Sequence, residues 1–292
     1  MTRFRHFLAV DWSGAAGERH KGIALAIAEA RGGPPVLLPG CPSWSRTDVL
    51  AASLDLPEDT LVGVDLGISL PFADCGAFFP GLPESPPDAR SLWALVDRVC
   101  AQDDHLAASA FVDDPRFAPY FRRHGGREGE RFRCDDAAHG RGRFRVTEAR
   151  QAELGCKPYS NFNLVGAAQV GKSSLTGMRV LHRLGDRVPV WPVDPLPDSG
   201  SLIVEIYTAL AALEAGRSAS RSKMRSYEEV NGALATLGSP TLAQTGPIDD
   251  HSADALLTAA WLRKVAGEPA RWNPAGLTPE IARTEGWTFG VA

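Results

Sequence analysis

Three aspartates from distant parts of the chain have neighbours that suggest a shared carboxylate site. Asp11 and Asp65 each end an apolar run, FLAVD and LVGVD, and Asp254 lies within DDHSADALLTAAWLRK much later in the sequence. A carboxylate beside an apolar strand is costly to bury unless it is paired, hydrogen-bonded or bound to a metal. Three such carboxylates therefore predict a common site for a hard cation, such as Mg²⁺ or Mn²⁺, which prefers oxygen ligands.

The late segment supplies two further candidates because it has the pattern of a buried helix. On such a helix His251 and Asp250 precede Asp254 by three and four positions and share its face. His251 could orient a water molecule or accept its proton. Asp250 could bind the metal, or it could simply be favoured at the helix N-terminus by the dipole. Glu205 ends the apolar run SLIVE and is a reserve ligand, although it could equally pair with an arginine.

Composition limits the class of protein. The chain has 292 residues, of which 44% are hydrophobic, enough for one large domain with a substantial insertion. A net charge of -4 neither supports nor excludes nucleic-acid binding. Five cysteines without a CxxC pair argue against a disulfide framework and indicate a reducing cytoplasm. No apolar run approaches the ~20 residues that span a bilayer, so we expect a cytoplasmic protein without membrane contacts.

The elements that must position these residues alternate between strands and helices. Apolar runs and turn residues predict an α/β fold with a mixed sheet flanked by helices, as a single domain over residues 1–292. Residues from about 71 to 197, rich in Pro, Gly and Arg, are predicted to form an irregular insertion. The predicted strands are 7–10, 22–28, 35–38, 61–64 and the run ending at Glu205. The predicted helices are 47–54, 89–101, 175–184, 227–237 and one beginning near Asp250.

This order, with acids ending the first and fourth strands and lying on the last helix, resembles the ribonuclease-H-like fold. The segment HSADAL is similar to the last-helix motif HxADAL of RuvC-type Holliday-junction resolvases. The chain resembles more closely the uncharacterised domain-of-unknown-function family four-twenty-nine, whose members are predicted ribonuclease-H-like nucleases. The short segments that carry this resemblance run from residue 9 to residue 291. They are AVDWSG, VGVDLGISLPF, FRVTEAR, LVGAAQVGKSSLTGM, VEIY, DDHSADALLTAAWL and EGWTFGV.

Such a site would favour metal-dependent hydrolysis of a phosphodiester. Two Mg²⁺ ions held by shared carboxylates can stabilise the attacking and leaving oxygens of an in-line displacement. In this interpretation Asp11 contacts both ions, Asp65 contacts one and Asp254 the other. FRVTEAR adds Arg145 and Glu148, which could grip a substrate phosphate or form a buried structural pair. The substrate is expected to be a nucleic acid or a small phosphate compound.

A second pattern favours a different function, nucleotide binding. Residues Gly166 to Ser173, GAAQVGKS, fit the P-loop pattern GxxxxGK[ST], in which Lys172 would contact phosphates and Ser173 would bind Mg²⁺. The preceding apolar run FNLV is short, and Gly166 and Gly171 could instead serve close packing.

Arginines interleaved with aromatic residues between 116 and 150 could contact phosphates and stack bases, or could be a neutralised surface segment. A non-catalytic binding module is a third alternative.

Overall fold

The computed structural model describes residues 2–134, 141–166, 169–218 and 223–292. Within these ranges the chain is an α/β protein with a mixed six-stranded sheet in the order β4-β3-β1-β6-β8-β7, flanked by helices. Strands β2 and β5 form a separate two-stranded sheet. The strands are β1 His6–Asp11, β2 Arg19–His20, β3 Ala24–Glu29, β4 Val36–Leu38, β5 Trp44–Ser45, β6 Thr60–Val64, β7 Val190–Trp191 and β8 Leu202–Glu205.

Ten α-helices accompany the strands in the described part of the chain. The first five are α1 Arg46–Leu54, α2 Ala89–Val99, α3 Ser109–Asp113, α4 Val146–Glu153 and α5 Val170–Leu184. The others are α6 Thr208–Glu214, α7 Tyr227–Thr236, α8 Asp250–Val265, α9 Pro269–Trp272 and α10 Pro279–Thr284. None of these helices is both long and apolar enough to cross a membrane.

The central strands run parallel, which directs their carboxyl ends to one edge of the sheet. β1 pairs with β6 in parallel, and β6 pairs with β8 in parallel. β3 and β4 complete the other side of the sheet by antiparallel pairing. The residues that end β1, β6 and β8 are consequently neighbours at that edge, where loops converge in open α/β sheets.

Alternation along β1 divides the core between the two faces of the sheet. Leu8 and Val10 belong to the hydrophobic cluster that includes residues of α1, α2 and α5. Phe7 and Ala9 belong to the cluster that includes residues of α6, α7 and α8. Every residue of β1 from Phe7 onward is buried, as a strand covered on both faces must be. Helix α8 lies against β1 and β3 and thereby brings its first turn near the end of β1.

The predicted α/β class with a mixed sheet and flanking helices is confirmed. The predicted elements outside 71–197 match observed ones to within a few residues, but the prediction missed β2, β5, β7, α3, α4, α6, α9 and α10. The predicted strand ending at Glu205 is β8, and helix α6 begins three residues later at Thr208. Residues 71–197 also contribute β7 to the edge of the sheet, so this segment is less separate from the core than the irregular sequence suggested.

Candidate functional site

The ends of β1 and β6 place two predicted acids side by side. Asp11 is the last residue of β1 and is 7% exposed. Asp65 directly follows β6, and its backbone N–H donates to the Val10 carbonyl at 2.9 Å. That hydrogen bond extends the parallel pairing by one residue and fixes the two acids as neighbours at the carboxyl edge of the sheet.

Helix α8 brings His251 to Asp11. The Nδ1 atom of His251 lies 2.9 Å from Oδ2 of Asp11. The helix N-cap is Asp249, whose carboxylate accepts from Ser252 N–H at 2.9 Å, and this cap sets the orientation of the first turn. Hydrogen bonding to Asp11 raises the pKa of His251, against the opposing effect of burial. Because Nδ1 donates to the carboxylate, Nε2 of the neutral ring remains free as a proton acceptor.

Asp254 completes a group of three electrostatically coupled acids. Burial, followed by the charge of Asp11, raises the pKa of Asp254 to about 7. Burial and then the charges of Asp11 and Asp254 raise the pKa of Asp65 well above its usual range. Burial also raises the pKa of Asp11, although the hydrogen bond from His251 opposes the shift. The fold therefore concentrates negative charge where it is poorly solvated.

The coupled acids do not form a closed ligand cage. Within the described ranges, no group of three or more His, Cys, Asp or Glu side chains has an arrangement that could hold a metal ion. The Thr208 hydroxyl donates to Oδ2 of Asp65 at 3.3 Å. The donor set nevertheless suits Mg²⁺ or Mn²⁺, because it consists of carboxylate oxygens and burial raises the pKa of each acid, so that a nearby cation would favour the ionised forms.

Asp250 lies at the outer edge of this group. Its carboxylate forms an ion pair with Lys223, and this hydrogen bond is the main cause of its lowered pKa. The charge of Lys223 also acts on Asp254, whose pKa it lowers. Lys223 was not singled out in the sequence, where it is one of several basic residues between 217 and 225 with no distinguishing pattern.

Glu205 has a structural environment that differs from that of the three aspartates. Arg145 donates from Nη1 to Oε2 of Glu205 at 2.8 Å and from Nη2 to Oε1 at 2.5 Å. Ile68 N–H and the Thr288 hydroxyl donate to the same carboxylate. Both oxygens are therefore committed to protein donors, which leaves Glu205 poorly suited to bind a metal.

Arg145 and Glu148 form the buried pair that the sequence left as one of two possibilities. Arg145 is 1% exposed and donates from Nη2 to Oε1 of Glu148 at 2.6 Å. Burial lowers the pKa of Arg145, but the charges of Glu148 and Glu205 outweigh it and raise the pKa overall. The guanidinium also donates to the Glu285 carbonyl at 2.9 Å. With these donors occupied, Arg145 holds α4 against β8 and has little capacity left for a substrate phosphate.

The P-loop-like segment departs from P-loop geometry in the residues that are described. Asn163 makes only isolated bridge pairing, so no strand of the central sheet leads into the segment. The N–H of Gly171 donates to Asn163 O, and the N–H groups of Lys172 and Ser173 donate to Gln169 O. These amides are therefore unavailable to cradle a phosphate. Positions 167 and 168 lie outside the described residues.

Gly171 of this segment serves close packing instead, whereas Gly166 does not. Helix α5 crosses the turns that follow β1 and β6, and a Cβ atom at Gly171 or Gly177 would overlap Asn161 O and the Leu66 side chain respectively. A Cβ at Gly14 would overlap the backbone of Lys172 and Ser173. Gly166 adopts φ +86°, a turn conformation that favours glycine, with open space around it. The motif thus brings helix α5 against the turns that carry the acids.

The arginine-rich segment is largely paired and packed. Arg116, Arg123 and Arg133 form ion pairs with nearby acids. Phe117, Tyr120, Phe121 and Phe132 are buried in the core rather than available for stacking. Residues 135–140 of the segment lie outside the described part.

A cavity of about 440 Å³ opens beside Asp65. We call it the first cavity; the residues used to describe it are Trp12, Asp65, Lys157, Tyr159, Asn161 and Tyr207. Tyr159 is 37% exposed, and Arg141 lies over its ring at 5.1 Å from the centroid. The sequence analysis missed Lys157, Tyr159 and Tyr207, because no periodic pattern or motif marks them. Thr208 could have been noticed as a hydroxyl residue just beyond an acid-ending strand.

Comparisons with known proteins give no family assignment. A scan against models of protein families, a search of curated proteins and a search of solved structures each find no match to this chain.

Proposed function

We propose that this protein is a divalent-metal-dependent hydrolase of phosphodiesters, with a nuclease-like site. The observation that carries the proposal is geometric: Asp11 and Asp65 lie side by side at the carboxyl ends of β1 and β6, and α8 brings His251 to 2.9 Å from Asp11 with Asp254 one turn further along the same helix. Burial raises the pKa of all three aspartates, and the charge of Asp11 adds to the shifts of Asp65 and Asp254, so a bound cation or proton would favour the folded state. Their position at the carboxyl edge of parallel strands is the common place for ligand sites in open α/β sheets.

The three aspartates would hold Mg²⁺ or Mn²⁺ only after their side chains reorient around the ion, since in the described structure they do not yet form a ligand group. Asp250 is an outer candidate because Lys223 already neutralises it. When bound, such ions stabilise negative charge on the attacking and leaving oxygens of a phosphodiester. A structural role is proposed for Arg145, Glu148 and Glu205, whose mutual hydrogen bonds hold α4 against the end of β8. We assign these three residues no direct contact with a substrate.

His251 is proposed as the proton acceptor. Its Nδ1 is held by Asp11, so the ring orientation and the tautomer are fixed together. The neutral ring can accept a proton at Nε2 from a water molecule that attacks phosphorus. The side chain is 41% exposed, which allows that proton to pass on to solvent.

We further propose a ribonuclease-H-like relationship, including the RuvC-type last helix. It is supported by the strand order, in which β4, β3 and β1 are antiparallel neighbours and β1, β6 and β8 are parallel ones. It is also supported by the position of HSADAL on α8, directly beside the end of β1. A non-catalytic binding module on the same fold is the remaining alternative, whereas the occupied amides of residues 171–173 weigh against nucleotide binding by a P-loop.

The direct test is hydrolysis of bis(4-nitrophenyl) phosphate by the purified protein with Mn²⁺, Mg²⁺ or EDTA. We expect hydrolysis with either metal, none in EDTA, and loss of activity in Asp254→Asn and Asp65→Asn. The exposed control Asp186→Asn should retain the wild-type rate, since its side chain is 96% exposed and pairs with Arg90 rather than with a residue of the site. A wild type that is inactive with both metals, or activity that persists in both site variants, contradicts the proposal.

A further inference from the structure

A second cavity lies on the other side of the proposed reaction site. Its volume is about 420 Å³, and it is formed around β3, β4 and the first turn of α8. The residues that matter here are Lys21, Ala24, Trp44, Asp249 and His251, all of which line it. The proposed proton acceptor thus faces the second cavity, whereas the metal-binding candidate Asp65 faces the first.

Strand order places the two cavities on opposite sides of Asp11. The first cavity is lined by residues that follow β1 and β6 and by the end of β8, whereas the lining of the second includes residues of β3 and β4. In the sheet β1 lies between β3 and β6. Ala24, in the wall of the second cavity, is the direct strand partner of Asp11. Asp11 itself lines neither cavity, but its chain neighbours Trp12 and Ser13 line the first and its strand partner lines the second, so a substrate centred on Asp11 can extend into both.

The two cavities offer similar chemistry. Each has an exposed lysine, Lys157 in the first and Lys21 in the second. Each also has an accessible aromatic side chain, Tyr159 and the half-buried Trp44. A cation and an aromatic ring in the same cavity suit a phosphate and a stacked base, and each cavity falls within the ~300–1,000 Å³ typical of ligand pockets.

The wall of the first cavity holds an additional polar atom without a protein partner. Asn161 is 1% exposed and donates from Nδ2 to the Ser69 carbonyl at 2.8 Å. Its Oδ1 is buried and accepts no hydrogen bond from the described residues. Buried acceptors are normally satisfied, so the unpaired Oδ1 is an unusual polar feature of a residue in this wall.

We propose that the protein cleaves within a nucleic-acid strand and holds one nucleotide in each cavity, on either side of the phosphodiester that is cut. This inference rests on the proposed function and adds the substrate class to it. A phosphate ester with a single organic group would need only one of the two cavities. A strand uses both, and it brings a negatively charged backbone to the two lysines.

The test uses two reporters that each carry a nucleoside on one side only, thymidine 5′-(4-nitrophenyl phosphate) and thymidine 3′-(4-nitrophenyl phosphate), with Mn²⁺. We expect Tyr159→Ala to raise KM for one reporter by about tenfold, the loss expected of one stacking contact, with little change for the other. Trp44→Ala should show the opposite preference. Lys157→Ala and Lys21→Ala should follow the same pattern with smaller effects, and they keep the test valid if Trp44→Ala does not fold.

A second measurement does not depend on catalysis. In EDTA, the anisotropy of a fluorescein-labelled thymidine oligonucleotide should report weaker binding for variants in either cavity. Binding should be unchanged for Lys264→Ala, which replaces an exposed lysine on the last turn of α8.

Equal changes in KM for both nitrophenyl reporters, or no change for either, overturn the two-cavity inference. If the wild type hydrolyses bis(4-nitrophenyl) phosphate while all cavity variants behave as wild type, the proposed function stands and only this inference fails. An inactive wild type contradicts the proposed function, and the anisotropy still decides whether the cavities bind a strand.

Discussion

The imidazole of His251 and the carboxylate of Asp11 lie 2.9 Å apart, although 240 positions separate them in the sequence. This hydrogen bond is the main cause of the raised pKa of His251. The Asp11 carboxylate thereby determines both the orientation of the ring and the pH above which it is neutral.

The pH dependence of hydrolysis should reflect this pair. At saturating Mn²⁺ we expect kcat to rise with pH as the ring of His251 deprotonates, because the ring must lose its proton before it can accept another. His251→Gln should lower kcat by about 10²–10⁴-fold and flatten this acid limb. His182→Gln, an exposed histidine on α5, is the control. An acid limb unchanged in His251→Gln would exclude this role.

Metal should stabilise the fold through Asp254. We expect Mn²⁺ to raise the Tm of the wild type, since binding to the native state stabilises it by mass action. Without metal at pH 7.5, Asp254→Asn should melt about 2–6 °C above the wild type, because a buried repulsive charge is removed. The variant should gain much less from Mn²⁺, as an amide is a weaker ligand. Equal metal-induced shifts in wild type and variant, by scanning calorimetry, would mean that Asp254 is not a ligand.

The same residue should make stability depend on pH. The folded pKa of Asp254 is about 7, above its ordinary 3.8, so the folded protein retains a proton that the unfolded chain loses. Ionisation therefore destabilises the fold as pH rises from about 4 to about 7 and has no further effect above that range. In EDTA, the stability of Asp254→Asn relative to wild type should increase by roughly 2–4 kcal/mol across this interval. Urea unfolding at pH 4, 5.5 and 7.5 measures the difference, and a constant difference would contradict the assignment.

Glu205 should behave as a structural residue. Glu205→Gln leaves the buried Arg145 with an uncompensated charge, and we expect a loss of about 3–5 kcal/mol in the free energy of unfolding. The exposed Glu153→Gln, which removes a surface pair with Arg150, should cost under about 1 kcal/mol. The Mn²⁺-induced rise in Tm should persist in Glu205→Gln. A variant that keeps its stability but loses the metal response would instead make Glu205 a ligand.

Lys172 should not bind a nucleotide. Because the amides of residues 171–173 are engaged within the protein, isothermal calorimetry should detect no ATP binding in the wild type or in Lys172→Ala. The substitution should change the Tm little, since the side chain is only half-buried and no ion pair is found for it among the described residues. Micromolar ATP binding that disappears in Lys172→Ala would favour nucleotide binding over metal-dependent hydrolysis as the function of the protein.

The local signals in the sequence were sufficient for the strands that carry the acids. Apolar runs ending at Asp11, Asp65 and Glu205 predicted β1, β6 and β8, and the spacing of His251 and Asp254 predicted their common helix face. The apolar runs could not predict which residues surround the carboxylate at the end of each strand. Glu205 and Asp65 end equivalent runs, yet only Glu205 meets Arg145, from a helix that the sequence analysis did not predict.

Residues 71–197 show more clearly that side-chain environments could not be predicted from the sequence. Their Pro- and Arg-rich composition resembles an exposed insertion, but arginines such as Arg143 and Arg145 are buried and donate several hydrogen bonds each. Whether an arginine faces solvent or a buried carboxylate depends on contacts with residues far away in the sequence. Such contacts cannot be predicted from the spacing of apolar residues, which repeats every 2 residues in a strand and every 3.6 in a helix. Lys157 and Tyr159, which line the first cavity, were missed for the same reason.

Contact between α5 and the turns after β1 and β6 has a consequence for mutational tolerance. Gly14 meets the backbone of Lys172 and Ser173, and Gly171 meets the carbonyl of Asn161, so main-chain atoms touch without intervening side chains. A larger side chain that contacts another side chain can be accommodated when a second substitution makes that neighbour smaller. A side chain added against main-chain atoms cannot be accommodated in this way, because no substitution removes backbone atoms. Variation should therefore be tolerated widely on the surface of α5 and hardly at all at these glycines, because any added methyl group would alter the separation of the two acids.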